Sequence, residues 1–170
     1  NWLIPHFEKM LYDNAQLVSL YSQAYKATKK PLYEEVVKET LEYINKEMTH
    51  QEGAFYSSLD ADSVSEENEL EEGAYYVFNK EELKLQLKED FNLFSEYYNV
   101  TNYGKWEKEN YVLIRKKSDQ EIIAEFSISQ KELNQKKKNW KQLLLAYRNN
   151  RAKPRLDDKS LTSWNALMIK

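Results

Sequence analysis

The sequence predicts a mainly α-helical fold in which helical hairpins are separated by short β-strands. Three observations support this prediction. Apolar residues recur at helical spacing over long stretches, three capping boxes mark helix starts, and two short aromatic runs open with glycine. With 170 residues, of which 41% are hydrophobic, the chain is long enough to bury a sizeable core.

The first part of the chain predicts two helices joined by a tight turn. Apolar residues follow a helical period from Phe7 to Thr28, and Pro5 lies near the first turn, where its missing N–H costs little. The sequence "KKP" then predicts a short break and a second helix from Pro31. Its expected buried stripe consists of Tyr33, Val36, Val37, Thr40, Leu41, Ile44 and Met48.

After the second predicted helix, the spacing of apolar residues changes from a helical to a strand-like period. The runs "GAFYSSLD" and "GAYYVF" predict a β-hairpin or a pair of strands around an acidic connection. Asp60, Asp62 and Glu71 fall at positions one, three and twelve of a calcium loop, but Val64 and Ser65 stand where a ligand and a glycine are needed. We therefore reject a calcium loop and expect a solvated connection. Asp60 and Asp62, next to the end of a predicted strand, remain candidate functional residues.

Three capping boxes predict where helices begin in the second half of the chain. They are Asn79 with Glu82, Ser118 with Glu121, and Ser129 with Glu132. A short strand is expected at "NYVLIRK", and "QKKKNWK" is the expected solvated face of the third of these helices. The side chains expected in the core from this helix are Leu133, Trp140, Leu143, Leu144 and Tyr147. A polar loop then leads to a last helix in "LTSWNALMIK".

Charge and motif content exclude several classes of function. The chain has 25 basic and 28 acidic side chains with both signs interspersed, so it lacks the basic surface of a nucleic-acid-binding protein. It contains no cysteine and no stretch of about 18 apolar residues. Glycine-rich phosphate loops and zinc-binding spacings are also missing. We therefore expect a cytoplasmic protein without a cofactor, a metal, or a nucleic-acid or membrane partner.

The first helix carries polar residues among its apolar positions. His6 and Asp13 are seven positions apart, which would place both on one face about 10 Å apart along the axis. Asn14 lies within the apolar stripe, where an amide must find partners. These residues either line a ligand pocket or tie neighbouring loops together. In both cases we expect direct or water-bridged hydrogen bonds from Asp13 or Asn14 to "SSLDADS" or to the "DDK" segment.

The segment "RLDDKSLTSWN" also combines charged, aromatic and amide side chains. It brings Asp157, Asp158 and Lys159 to the start of the last helix, where Trp164 and Asn165 follow. Carboxylates beside an aromatic platform are typical of sugar sites. The alternative is helix capping together with an ion pair to Lys159.

Four blocks of the chain carry a resemblance to a known family. "PHFEKMLYDNAQL" preceded by Trp2, "FYSSLDADS", "EEGAYYVF" and "LDDKSLTSWNALMI" resemble the signature blocks of the thioredoxin-domain-containing family that includes spermatogenesis-associated protein 20. The resemblance implies an intracellular protein in which a thioredoxin-like domain precedes an (α/α)6 toroid of six-hairpin glycosidase-like architecture. Residues 1–170 would form a single segment, the early part of that toroid. Its partners would be the upstream thioredoxin-like domain and the downstream hairpins, which this chain lacks.

One position departs from the family pattern. Arg155 stands where the resemblance leads us to expect a histidine before the "DDK" segment. Sugar epimerases of this architecture use two histidines as acid and base, and this chain supplies only His6 and His50, the second in a plain turn. The departure weakens an epimerase interpretation.

Together these features give two functional hypotheses. The first is a carbohydrate-active or carbohydrate-binding domain with its ligand in the toroid cavity, where an inverting carboxylate pair would be about 6.5–9.5 Å apart. The second is a non-enzymatic scaffold, or a redox-coupled partner of the thioredoxin-like module. In the first hypothesis the catalytic candidates are Asp60, Asp62, Asp157 and Asp158, and the ligand-binding candidates are His6, Asp13, Asn14, Lys159, Trp164 and Asn165.

Overall fold

The computed structural model describes residues 5–170, which form two compact units. The hairpin unit consists of His6–Ser63 and Pro154–Lys170, and the inserted unit consists of Val64–Lys153 together with Pro5. In sequence, residues 64–153 therefore interrupt the hairpin unit. Trp2, part of the first resembling block, lies outside the described residues.

The described chain is mainly helical, as predicted, with short strands between the helices. In chain order its elements are β1 (Lys9–Met10), α1 (Leu11–Thr28), α2 (Pro31–Glu47), β2 (Ser58–Leu59), β3 (Asp62–Val64), β4 (Leu70–Glu72), β5 (Phe78–Asn79), α3 (Lys80–Leu87), α4 (Phe91–Tyr98), β6 (Asn110–Tyr111), α5 (Asp119–Phe126), α6 (Gln130–Arg148), β7 (Leu156–Asp157) and α7 (Thr162–Ile169), with 3-10 turns at Lys88–Asp90 and Glu107–Glu109. None of the helices in this part of the chain is long and apolar enough to cross a membrane.

The predicted helical hairpin of α1 and α2 is confirmed. Lys29 ends α1 in the left-handed region with φ 57°, and its N–H donates to the Tyr25 carbonyl. Pro31 then opens α2 at a position where no intrahelical donor is needed. In the hairpin unit, α1 packs against both α2 and α7.

A three-stranded antiparallel sheet completes the hairpin unit, with β2 between β1 and β7. Its core contains side chains from α1, α2 and β2. Burying such apolar groups is the main favourable contribution to folding. The buried members are Leu11, Ile44, Met48 and Leu59, against which Tyr43, Phe55, Leu156, Trp164 and Met168 pack.

The inserted unit confirms all three predicted capping boxes. In α3, α5 and α6 the side chain of the capping residue accepts from the third helical N–H, and the glutamate there accepts from the capping residue's N–H. The buried core of this unit consists of Phe78, Leu83, Leu87, Leu93, Phe94, Tyr97, Val100, Tyr111, Ile122, Leu133, Trp140 and Leu144. The prediction that Leu143 is buried is wrong, because its side chain is 46% exposed.

The predicted start of the first helix is also wrong. α1 begins at Leu11 rather than Phe7, because Lys9 and Met10 are extended and pair with β2. The Leu11 N–H, which has no partner inside the helix, donates to the Ser57 carbonyl at 2.9 Å. The chain enters α1 from the sheet.

The predicted pairing of the two aromatic runs is wrong as well. "GAFYSSLD" contains β2, which pairs with β1 and β7. Most of "GAYYVF" forms a turn, closed by the Tyr76 N–H on the Gly73 carbonyl at 2.7 Å, and only Phe78 enters a strand, opposite Tyr111. The acidic connection between the runs is not an open loop, since it contains β3 and β4.

Candidate functional site

The pairing of β2 with β7 joins two of the acidic segments. Ser58 lies opposite Asp157 and Leu59 opposite Leu156. The pairing continues one residue further, where the Asp60 N–H donates to the Arg155 carbonyl at 2.9 Å. The "SSLDADS" and "RLDDKS" segments, about 100 positions apart in sequence, are therefore neighbours in space.

This register brings charged residues together at one end of the strand pair. Leu59 and Leu156 contribute to the core, whereas Asp60 and Arg155 are exposed and Asp157 is half-buried. We call the surface formed by Asp60, Arg155 and Asp157 the charged face. Arg155, which stands where the resemblance led us to expect a histidine, lies opposite Asp60 in the backbone pairing.

Asp157 is held by Lys159. The Lys159 ammonium lies 2.8 Å from Asp157 Oδ2, and the Lys159 N–H donates to Oδ1 at 3.4 Å. The hydrogen bond from the ammonium is the main reason that the pKa of the Asp157 carboxyl lies below its ordinary value. Asp157 is thus ionised at neutral pH, where it can accept a proton or a hydrogen bond.

The other three catalytic candidates are exposed. Asp60 Oδ1 accepts the Asp62 N–H at 3.3 Å, which fixes the turn that leads from β2 into β3. Asp62 begins β3 and Asp158 follows β7, and both side chains face solvent. The structure thus leaves these carboxylates open to a ligand.

Asn165 holds two parts of the hairpin unit together. Its Oδ1 accepts the Phe55 N–H at 2.8 Å, and its Nδ2 donates to the Phe55 carbonyl at 3.0 Å. The same Nδ2 lies 3.2 Å from Ser160 Oγ and 3.1 Å from the Leu161 carbonyl. Both ends of the amide are used within the protein.

Trp164, also on α7, forms an aromatic pair with Tyr12. The ring centroids are 4.8 Å apart and the ring planes meet at 64°, an edge-on contact. Both side chains are half-buried. Tyr12 was not singled out from the sequence, because neither its position nor its neighbours indicate that α7 packs against it.

The polar residues of the first block do not converge as predicted. His6 lies before β1, outside the helix, so it does not share a helical face with Asp13. Leu11 and Ala15 define the buried side of α1, and Asp13, about 200° round the helix from Leu11, is exposed. Within residues 5–170, Asp13 has no hydrogen bond or ion pair.

Asn14 is half-buried and donates from Nδ2 to the Met10 carbonyl at 2.7 Å. Among the described residues, neither Asp13 nor Asn14 forms a direct hydrogen bond to the "SSLDADS" or "DDK" segment, and a water-bridged bond stays a prediction. Asn14 instead binds the carbonyl of a β1 residue, and Met10 in turn pairs with Ser58. Asn14 is therefore linked to Ser58 of "SSLDADS" only through Met10.

A second acidic group lies in the inserted unit. Carboxylate oxygens of Glu67, Glu69 and Glu71 lie within 4.8 Å of one another and could hold a cation. Lys108 already supplies a positive charge, at 2.6 Å from Glu71 and 3.8 Å from Glu67. Its hydrogen bond is the main cause that lowers the pKa of Glu71. An ion-paired surface cluster accounts for this arrangement.

Comparison with known proteins agrees with the resemblance of the blocks. No family model matches the chain. It is 34% identical to human spermatogenesis-associated protein 20 over 188 aligned positions, covering 99% of this chain and 24% of the human protein. The mouse protein of that name is 32% identical over 189 positions, with the same coverage of 99% and 24%. An uncharacterised Caenorhabditis elegans protein is 35% identical over 188 positions, covering 99% of this chain and 26% of the worm protein.

The chain therefore spans about a quarter of the length of the curated relatives it matches. The identity extends over almost the whole chain, including both units. This similarity supports a link with the family of spermatogenesis-associated protein 20.

Proposed function

We propose that the protein is carbohydrate-active or carbohydrate-binding and that the charged face of β2 and β7 forms part of its ligand site. The observation that carries the proposal is the register of this strand pair, which brings Asp60 and Asp157 together on the charged face. Asp62 and Asp158 lie two positions and one position further along the two segments. Carboxylate oxygens accept hydrogen bonds from sugar hydroxyls, and an acidic pair is the usual equipment of a glycoside hydrolase.

The aromatic pair supports the same proposal. The apolar face of a sugar ring packs against aromatic side chains, and Trp164 with Tyr12 supplies two rings in the hairpin unit. Tyr12 directly follows Leu11, whose N–H donates to the carbonyl of Ser57, the residue before β2. This hydrogen bond joins the start of the helix that carries Tyr12 to the β2 segment.

The ion pair with Lys159 sets Asp157 apart from the other catalytic candidates. A general acid must hold its proton near the working pH, whereas Lys159 keeps Asp157 ionised. In a hydrolytic mechanism, Asp157 would act as a base or would position the ligand. The remaining candidates for the acid are Asp60, Asp62 and Asp158.

The proposal extends to the whole protein. We place residues 1–170 in the early part of an (α/α)6 toroid of six-hairpin glycosidase-like architecture, in a cytoplasmic protein with an additional thioredoxin-like domain. The packing of α1 against both α2 and α7 supports this arrangement, since each helix of a toroid contacts helices on two sides. The 24% coverage of the human relative leaves room for the remaining hairpins and for that domain, which would be the partners of this segment.

A scaffold is the second candidate function, and the amide contacts favour it. The side-chain amides of Asn165 and Asn14 both form hydrogen bonds with backbone groups. In this alternative the polar blocks hold the hairpins together and present them to the thioredoxin-like module, and no sugar is bound.

Incubation of the protein with a panel of neutral sugars, amino sugars and sugar phosphates tests these alternatives. Proton NMR of the mixtures reports binding, turnover and the configuration of any released anomeric centre. Binding or turnover of at least one sugar supports the first function. A panel without any bound or altered sugar would favour the scaffold.

A further inference from the structure

The helices of the hairpin unit differ in how charge is distributed along them. No charged residue occurs in residues 14–25, which make up most of α1, or in residues 160–169, which include α7. By contrast, α2 is charged along its length, at Glu34, Glu35, Lys38, Glu39, Glu42, Lys46 and Glu47. A helix at the protein surface carries charged and polar side chains opposite its buried side. Thus α2 has the composition of a solvent-facing helix, whereas α1 and α7 do not.

The two uncharged helices also bury little within their own unit. Among the described residues, α1 buries only Leu11 and Ala15, and α7 buries no side chain completely. Leu20 on α1 is 59% exposed, and Leu167 on α7 is 40% exposed. Contact of such side chains with water is unfavourable, and apolar surface on a folded protein indicates an interaction site.

A groove lies between α1 and α7 at these positions. Its volume is about 260 Å³, below the range of about 300–1,000 Å³ that is usual for small-molecule sites. Lys170, the residue after α7, contributes to its lining. The uncharged lining residues, which together we call the uncharged face, are Ala15, Gln16, Ser19, Leu20, Gln23 and Leu167.

The side chains of the uncharged face indicate what it contacts. Ala15 and Ser19 are one turn apart on α1, and their short side chains leave room for the ridge of side chains on another helix. The centres of protein interfaces are depleted of charged residues, as this face is. Gln23 has no side-chain bond to another described residue, so its amide offers both a donor and an acceptor. The matching partner is an amphipathic helix whose contacting side is apolar with few polar groups.

The length of the relatives indicates where such a helix comes from. The chain covers 24% of the human relative and 26% of the worm protein, so most of each of those proteins lies outside the matched part. A helix of the same polypeptide loses less translational and rotational freedom on docking than a separate molecule does. The same polypeptide is therefore favoured over a second copy of the chain as the source of the helix.

We propose that the uncharged face is the docking surface for an amphipathic helix of the same polypeptide that lies outside residues 1–170. The helix packs its apolar ridge into the groove between α1 and α7, whereas α2 faces solvent. The inference rests on the placement of these residues in a longer protein, as proposed above, and does not require sugar binding.

Thiol labelling of the full-length protein with N-ethylmaleimide tests whether the face is covered. Leu20→Cys should react at least about tenfold more slowly than Leu32→Cys on α2, and unfolding in urea should remove the difference. If nothing covers the face, Leu20→Cys should react at least as fast, because Leu20 is 59% exposed and Leu32 is 51% exposed. Mass spectrometry of the peptides measures the labelling at each position. Labelling of Leu20→Cys as fast as Leu32→Cys overturns the inference.

Photo-leucine, incorporated in place of leucine, identifies the occupant without a mutation. On irradiation of the full-length protein, Leu20 and Leu167 should crosslink to a segment outside residues 1–170, in a product with the mass of one chain. Leu32 and Leu41, which are 51% and 42% exposed on α2, are the matched controls and should form no such crosslink. A crosslink only within residues 1–170, or a product with the mass of two chains, overturns the inference. Neither measurement involves a sugar, so failure of the proposed sugar binding would leave both results in place.

Discussion

Asn165 on α7 pairs with both backbone groups of Phe55, a residue 110 positions earlier in the sequence. The amide takes the place of a neighbouring strand, accepting the N–H and donating to the carbonyl. Asn165 resembles a ligand-binding residue in the sequence because it lies beside an aromatic residue near an acidic segment. In the structure it joins the two chain segments of the hairpin unit.

Asn165→Asp tests this tie. The carboxylate can still accept the Phe55 N–H, but it replaces the donor that faces the Phe55 carbonyl, so the variant should lose about 1–3 kcal/mol of unfolding free energy. Urea unfolding measures the loss. Asn45→Asp, at an exposed position of α2, is the control and should change stability by less than about 0.5 kcal/mol. Equal stability of the two variants would show that the pair contributes nothing.

Asp157 should titrate below the ordinary aspartate range. Lys159 lowers the pKa in the folded state, so the stabilising contribution is complete above the unfolded pKa and is lost as pH falls through the folded pKa. Carboxyl NMR measures the midpoint directly. Lys159→Met should raise the Asp157 midpoint, whereas Lys26→Met, at an exposed position of α1, should leave it in place. An unchanged midpoint in Lys159→Met would contradict the assigned cause.

Gly104 is required by a close backbone approach. A Cβ at this position would lie 2.3 Å from the Asn99 carbonyl oxygen and 3.0 Å from that of Val112. Gly104→Ala should therefore destabilise the protein by about 1–3 kcal/mol through overpacking. The neighbouring exposed Asn102→Ala should have little effect. Chemical unfolding compares the two, and a Gly104→Ala variant as stable as the natural protein would refute the close contact.

Asp90 accepts the hydrogen bond from the indole N–H of Trp140, which is the only polar group of that side chain. The indole is 1% exposed, and its Nε1–H donates to Asp90 Oδ2 at 2.8 Å. Asp90→Ala leaves the buried donor unsatisfied and should cost about 1–3 kcal/mol. Asp90→Asn keeps an acceptor and should cost less. Tryptophan fluorescence during unfolding measures both, and equal losses in the two variants would argue against the hydrogen bond.

Local signals in the sequence were sufficient for the helix starts of the inserted unit. A capping box lies within four residues, so Ser118 with Glu121 and Ser129 with Glu132 determine their own geometry. Hydrophobic periodicity likewise identified Leu133, Trp140 and Leu144 as core residues. It did not distinguish Leu143, which is next to Leu144 but turned about 100° away from it.

Long-range strand pairing explains the predictions that were wrong. Lys9 and Met10 follow a helical pattern in the sequence, yet they pair with β2 as a strand, so α1 begins only at Leu11. Because of this pairing, His6 lies outside the helix that contains Asp13. Likewise, no local pattern indicates that Ser58 faces Asp157, and without this register the relation between Asp60 and Arg155 cannot be found. The sequence identified the acidic segments, and the strand pairing decides which of them meet.

The central claim is that the charged face binds a saccharide, and the most direct measurement is calorimetric titration of Asp60→Asn with the sugars of the panel, alongside its unfolding free energy. Asparagine keeps the acceptor for the Asp62 N–H and removes only the charge. Glu66→Gln, at an exposed acidic position outside both segments, is the matched control. The account predicts that Asp60→Asn weakens binding at least about tenfold, with stability within about 0.5 kcal/mol of the natural protein and the control unchanged. Undiminished binding in Asp60→Asn, or a natural protein that binds no sugar of the panel, would contradict it.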